Sequence, residues 1–113
     1  MKEPNVSKSA ITIDHAMSDG LPPTHPGEIL REELAELGLS ANAFAAGIKV
    51  PTNRITEILA GRRSISAETA LRLGRFFGTS AQFWMNLQTN YDLKQAAAES
   101  GKDIVRHVRP RAA

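Results

Sequence analysis

The chain has 113 residues, of which 42% are hydrophobic and 23% charged, and this balance is that of one small globular domain. It carries a formal net charge of +2 and has no cysteine, which excludes disulfides, thiolate catalysis and cysteine-ligated zinc. The three histidines are scattered and no apolar run resembles a membrane span or signal peptide, so we expect a cytoplasmic protein without metal or cofactor.

The charge is distributed unevenly along the chain. Residues 1–48 hold three basic and seven acidic side chains, whereas residues 49–75 hold six basic and two acidic ones. Residues 76–113 hold five basic and three acidic side chains. A basic segment favours a nucleic-acid partner, although charge alone fits an ordinary solvated surface equally well.

The first predicted helix follows a segment without helical period. Residues 1–23 end in two prolines, and we interpret them as a mobile, disordered arm. Pro26 suits the first turn of a helix that we expect to run to Leu37 and to stop at Gly38. The predicted buried stripe of this helix is Ile29, Leu30, Leu34 and Leu37.

Two short helices joined by a tight turn are predicted next. Ser40 is a good N-cap for the second helix, which should end near Gly47. Pro51 holds the residue before it in an extended conformation. The third helix then runs to Ala60, and Gly61 closes it.

Two further helices complete an all-α fold of five helices. The fourth begins after Ser66 and ends at Gly78, with Ala70, Leu73 and Phe77 on one face. Thr79 and Gln82 have the spacing of a capping box, so the fifth helix should start there and continue toward Ala98. Residues 104–110 are interpreted as a short strand or an extended tail.

Helical phase divides the third helix into two faces. With about 100° between successive residues, Ile55, Ile58 and Leu59 fall on one side and should be buried. The opposite side and the loop after it carry residues suited to DNA contacts, namely Thr52, Asn53, Arg54, Thr56, Glu57, Arg62 and Arg63. Ser40 and the free N–H groups of the second helix are expected to bind a backbone phosphate. Each residue taken alone fits a solvated face, but their order beside the turn favours a helix that enters a DNA major groove.

Four segments in a fixed order resemble one family. They are His25-Pro26-Gly27-Glu28-Ile29-Leu30, Gly61-Arg62-Arg63-Ser64-Ile65-Ser66, Thr69-Ala70-Leu71-Arg72-Leu73, and Phe83 to Gln88 with Tyr91-Asp92-Leu93. These segments span about 70 of the 113 residues and are similar to Xre-type helix-turn-helix proteins, more narrowly to the HigA family of antitoxins. The resemblance implies a lambda-repressor-like DNA-binding domain over residues 24–98, with 99–113 as a short C-terminal extension.

The resemblance also implies partners. A HigA antitoxin is a homodimeric repressor of its own operon that binds a palindromic double-stranded DNA operator in a bacterial cytoplasm, at the nucleoid. It neutralises a HigB-type toxin of RelE-like fold that cleaves messenger RNA. The base-reading positions of the family fall here on Pro51, Thr52, Asn53 and the following turn to Glu57.

Two further surfaces are candidates for partner contacts. On the fifth helix Phe83, Trp84, Leu87 and Tyr91 should be core, whereas Met85 and Leu93 point elsewhere and are candidates for a dimer interface. An exposed methionine without a partner is an equally good interpretation. The acidic residues of the first helix are candidates for the toxin surface, although a solvated face is the simpler interpretation: Glu28, Glu32, Glu33 and Glu36.

The alternative function is an Xre-type transcription regulator without a toxin partner. An enzyme is not expected, because the sequence has no glycine-rich phosphate loop and no nucleophile matched with a base. One departure from the wider Xre pattern is Lys49, where glycine is common. A lysine with left-handed backbone costs up to about 1 kcal/mol, so the turn is expected to differ in shape.

Overall fold

The computed structural model describes residues 22–112, and that part of the chain contains five helices and no strand, which confirms the predicted all-α class. The helices are α1 (Pro26–Leu37), α2 (Ala41–Ile48), α3 (Thr52–Leu59), α4 (Ala67–Phe77) and α5 (Ala81–His107). The predicted arm at residues 1–23 lies outside the described residues, except for 22 and 23, which have no regular secondary structure.

Contacts divide the chain into two compact units. The larger unit, Thr24–Tyr91, contains α1 to α4 and the beginning of α5. The described residues of the other unit are 22–23 and 92–112, and they include the remainder of α5. The domain boundary expected at residue 98 stays a prediction.

The amino end of α1 is fixed by an unusual cap. His25 occupies the N-cap position, and its Nδ1 accepts a hydrogen bond of 2.8 Å from the backbone N–H of Gly27. The His25 ring packs edge-on against Tyr91 at a centroid distance of 4.8 Å. Nδ1 accepts only when it carries no proton, so this cap requires the tautomer protonated at Nε2.

The same end of α1 touches α3 through backbone atoms. A Cβ added at Gly27 would lie 1.9 Å from the carbonyl oxygen of Ile58. Arg31, one turn further along α1, donates a hydrogen bond of 2.5 Å to the carbonyl of Leu59. Glycine is therefore required at position 27 for the close approach of the two helices.

The core lies within the Thr24–Tyr91 unit and draws on every helix. Ile55 and Ile58 of α3 are fully buried and Leu59 is partly buried, as predicted. The complete set of buried hydrophobic side chains among the described residues is Leu30, Leu34, Phe44, Ala45, Ile48, Ile55, Ile58, Ile65, Ala70, Leu73 and Trp84.

Two residues predicted to be buried are exposed. Leu37 is 53% exposed, because α1 ends there, and Leu39, beyond the left-handed Gly38, packs against the core instead. Phe83 is 43% exposed, because Trp84 is the residue of that pair that enters the core, and Phe83 covers its edge at a centroid distance of 5.2 Å.

Both predicted ends of the fifth helix were wrong. The N–H of Phe83 donates to Oγ of Ser80 at 3.0 Å, whereas Thr79 accepts a 3.0 Å bond from the Trp84 indole instead of capping the helix. At the other end α5 continues through residues 104–107, which were expected to be extended. No strong helix breaker occurs before Pro110, whose ring excludes the preceding residue from the helical region, so the helix runs on.

Gly27→Ala should destabilise the protein by about 1–3 kcal/mol, because the added methyl group collides with the Ile58 carbonyl. Gly47→Ala is the matched control: its Cβ would lie 3.8 Å from the Phe76 ring, an ordinary contact, and alanine favours the helix by about 0.5–1 kcal/mol. Thermal unfolding followed by circular dichroism should lower the midpoint of the first variant and leave or raise that of the second. Equal midpoints would contradict the close approach.

Candidate nucleic-acid interface

Helices α2 and α3 form the predicted helix-turn-helix. Ser40 caps α2, with its Oγ accepting a 3.0 Å hydrogen bond from the N–H of Ala43. Pro51 is the N-cap of α3 and provides no side-chain cap, so the first N–H groups of α3 lack a side-chain acceptor. Such an amino end carries partial positive charge and is suited to an anion.

The turn between the two helices keeps a left-handed residue. Lys49 has φ 65° and ψ 47°, and its N–H bonds to the Ala46 carbonyl at 3.3 Å, while the N–H of Val50 reaches Ala45 at 3.0 Å. Among the described residues, Lys49 is the one non-glycine with positive φ. The expectation that lysine changes the shape of this turn is wrong, because the backbone adopts the strained conformation.

The predicted groove-facing residues of α3 all reach the surface. Because Ile55 and Ile58 are fully buried, the opposite side of the helix is accessible. Asn53 and Thr56 are exposed, and the other three members of the predicted set, Thr52, Arg54 and Glu57, are half-buried. The face is therefore available to a partner along its length.

Hydrogen bonds hold the threonines of this face but leave one amide free. Thr52 Oγ1 donates to Oδ1 of Asn42 in α2 at 2.8 Å, and Thr56 Oγ1 donates to the Asn53 backbone carbonyl at 3.2 Å. Within residues 22–112 the Asn53 side chain forms no hydrogen bond. It therefore keeps a donor and an acceptor for a base edge.

Acidic side chains pair with part of the predicted basic surface. Arg63 donates from Nε to Glu57 at 2.8 Å, and Arg54 pairs with Glu68 at 3.3 Å. Within the described part of the chain, Arg62 forms no ion pair. Of the predicted arginines, Arg62 is thus the one whose charge is fully available.

Glu68 connects three helices. Arg72 donates to its Oε2 at 2.9 Å and also to the Ile48 carbonyl at the end of α2, again at 2.9 Å. The hydrogen bond and charge of Arg72, with a smaller contribution from Arg54, hold the pKa of Glu68 below its usual value. The carboxylate is therefore ionised at neutral pH.

Sequence reasoning missed Asn42, Glu68 and Arg72. The spacing of four residues between Glu68 and Arg72 is a helical ion-pair signal that could have been found. Arg54 and Glu68 are fourteen residues apart and lie on different helices, so no local sequence pattern predicts that they pair.

The two residues predicted for a dimer interface, Met85 and Leu93, differ in exposure, and their role in a dimer stays a prediction. Met85 was expected to point away from the core, but it is half-buried and packs against it. Met85 comes directly after Trp84, a buried residue near the amino end of α5. Leu93 is 46% exposed.

The predicted acidic face of α1 is accessible. Its four glutamates are all exposed: Glu28, Glu32, Glu33 and Glu36. Two of them, Glu28 and Glu32, line a cavity of about 390 Å³ together with His25 and Arg31. Contact with a partner at this face stays a prediction.

In residues 22–112, no three side chains of histidine, cysteine, aspartate or glutamate gather as metal ligands. No helix in the same range combines the length and the apolar character that crossing a membrane requires.

Known proteins are similar over most of the helical unit. The Helix-turn-helix family profile matches residues 30–84. Virulence-associated protein I of Dichelobacter nodosus is 57% identical over 77 residues, which cover 67% of this chain and 71% of that protein.

Two solved structures resemble the chain closely. An addiction module antidote protein of a HigA family from Coxiella burnetii has 56% identity and a TM-score of 0.78, over 80% of this chain and 99% of that one. The antitoxin HigA of Pseudomonas aeruginosa, solved with the higBA promoter, has 49% identity and a TM-score of 0.78 over the same shares. Because both solved chains are covered almost completely, the similarity extends well beyond the helix-turn-helix itself.

Lys49→Gly should stabilise the protein by up to about 1 kcal/mol, because glycine adopts the left-handed conformation without a Cβ penalty. Lys49→Ala removes the same charge but keeps the strain, and it should leave stability nearly unchanged. Chemical denaturation of both variants checks this expectation. An equal gain from alanine would assign the effect to the lysine side chain and not to the backbone.

Proposed function

Because the chain belongs to the HigA family of Xre-type helix-turn-helix antitoxins, we propose that it represses its own operon by binding the operator and neutralises a HigB-type toxin. The observation that carries the DNA part is the accessible polar face of α3 opposite two fully buried isoleucines. The Pseudomonas HigA solved with promoter DNA supports this use of the fold.

In the proposed complex α3 lies in the major groove. The free amide of Asn53 forms a bidentate contact with adenine, and Thr52 and Thr56 contact neighbouring bases, each hydroxyl exchanging its present bond for one to DNA. Arg62 and Arg63 bind phosphates, Arg63 after leaving Glu57. Ser40 and Pro51 place the amino ends of α2 and α3 toward the DNA backbone.

The proposed repressor is a homodimer on a palindromic site. Two copies related by a two-fold axis would place their α3 helices about 34 Å apart, one turn of DNA. Leu93 is exposed and suits this interface, whereas only the accessible part of the half-buried Met85 is available to it.

The proposed toxin surface is the acidic side of α1. Four exposed glutamates on one helix complement a toxin that binds RNA and is therefore expected to be basic. If no toxin partner binds, the chain is a regulator of the same fold that acts on DNA alone.

Asn53→Ala should cost about 1–3 kcal/mol in binding to the promoter DNA of its own gene and relax the sequence preference. Arg62→Ala should weaken binding to promoter and random DNA alike and reduce the salt slope by about one unit. Fluorescence anisotropy titrations at several salt concentrations measure both effects. If both variants bind as the parent does, the assignment of α3 as the recognition helix is wrong.

Co-expression with any small basic protein found to be encoded beside this gene tests the antitoxin proposal. The parent chain should copurify with that protein and relieve its toxicity. Glu32→Lys should weaken the complex about tenfold while sparing DNA binding, because it places positive charge against a basic partner. Glu99→Lys, an equal charge reversal at an exposed residue of α5, is the control. If the two variants bind the toxin with equal affinity, the toxin surface does not lie on the acidic side of α1.

A further inference from the structure

One side chain of the recognition helix is held by a carboxylate from outside the helix-turn-helix. The NH1 nitrogen of Arg54 lies 3.3 Å from Oε1 of Glu68, the second residue of α4. The other oxygen, Oε2, receives both Nε and NH2 of Arg72, at 3.3 and 2.9 Å. The two guanidinium groups therefore use different oxygens of the same carboxylate and do not compete for it.

Arg72 holds the Glu68 carboxylate in place and is itself fixed by α2. NH1 of Arg72 donates to the Ile48 carbonyl at 2.9 Å, at the carboxyl end of α2, where the helix dipole favours a positive charge. A chain of hydrogen bonds thus runs from α2 through Arg72 and Glu68 to Arg54 on α3. A side chain that is fixed before binding loses less conformational entropy when it meets its ligand.

Arg54 keeps free donors in this arrangement. A guanidinium carries five N–H groups, and within residues 22–112 the guanidinium of Arg54 donates one hydrogen bond, to Glu68. Its side chain is 29% exposed at the flank of the face that carries Asn53 and Thr56. The free donors are available to DNA while the group stays attached to Glu68.

We propose that Glu68 is a positioning residue for DNA recognition, which holds Arg54 in one orientation and thereby sets the discrimination between operator and random DNA. This inference rests on the proposed DNA-binding function. Released from Glu68, the Arg54 guanidinium no longer keeps the orientation that suits the operator and contacts any nearby phosphate. Random DNA then gains affinity and the operator loses its advantage.

The test compares the parent, Glu68→Gln, Arg54→Ala and the double variant, each titrated with the promoter fragment of its own gene and with random DNA. Glu68→Gln should lower the ratio of the two affinities about two- to fivefold, the range of one exposed ion pair. In the Arg54→Ala background the same change should have no further effect on the ratio. Glu99→Gln controls for the net charge.

A second measurement needs no DNA. Nuclear magnetic resonance relaxation of the Arg54 Nε–Hε group should report restricted motion in the parent and freer motion in Glu68→Gln. Unchanged motion of Arg54 would overturn the positioning role, and so would an unchanged ratio of the two affinities in Glu68→Gln. The role would also be overturned if Glu68→Gln changed the ratio equally in the parent and in the Arg54→Ala background. If the parent itself binds both DNAs alike, the proposed function fails and this inference fails with it; a discriminating parent confines any failure to Glu68.

Discussion

The orientation of α3 depends on the contact between its carboxyl end and the amino end of α1. The backbone of Gly27 lies so close to the Ile58 carbonyl that no side chain fits between them. His25 fixes the same end of α1 through its cap, and Arg31 bonds to the next carbonyl of α3. These contacts fix the buried side of α3, and the opposite side is therefore held in one orientation. A binding site requires such a fixed orientation of its side chains.

Electrostatics divide the candidate interface into paired and unpaired cations. Arg54 and Arg63 each face a carboxylate, whereas Arg62 pairs with none in the described part of the chain. Exposed pairs of this kind contribute little to stability, since solvent screens them. These pairs matter for DNA binding, because a paired arginine contacts a phosphate only if it shares its carboxylate or leaves it. The net positive charge of residues 49–75 therefore overstates their attraction for DNA of arbitrary sequence.

Local rules predicted most helix ends, because a cap joins residues two or three positions apart. Ser40 and Ser66 were identified in this way, and both accept the expected backbone hydrogen bond. Phase alone did not decide which residues of an apolar arc are covered, since Phe83 and Leu37 lie where no element covers them fully. The pairing of Arg54 with Glu68 was beyond sequence reasoning, because helix packing sets it and not spacing.

The motif residues that identify the family mainly stabilise the fold. Trp84 is buried and donates to Thr79, while the buried Gln88 accepts a 2.7 Å hydrogen bond from the N–H of Ile65 and so holds the loop before α4. His25 and Gly27 serve the contact between α1 and α3. Residues of this kind determine where α3 lies in the fold. If the chain acts as proposed, its choice of operator comes from the accessible side of α3 and from the groups that orient it, and its choice of toxin comes from exposed surfaces outside these motifs.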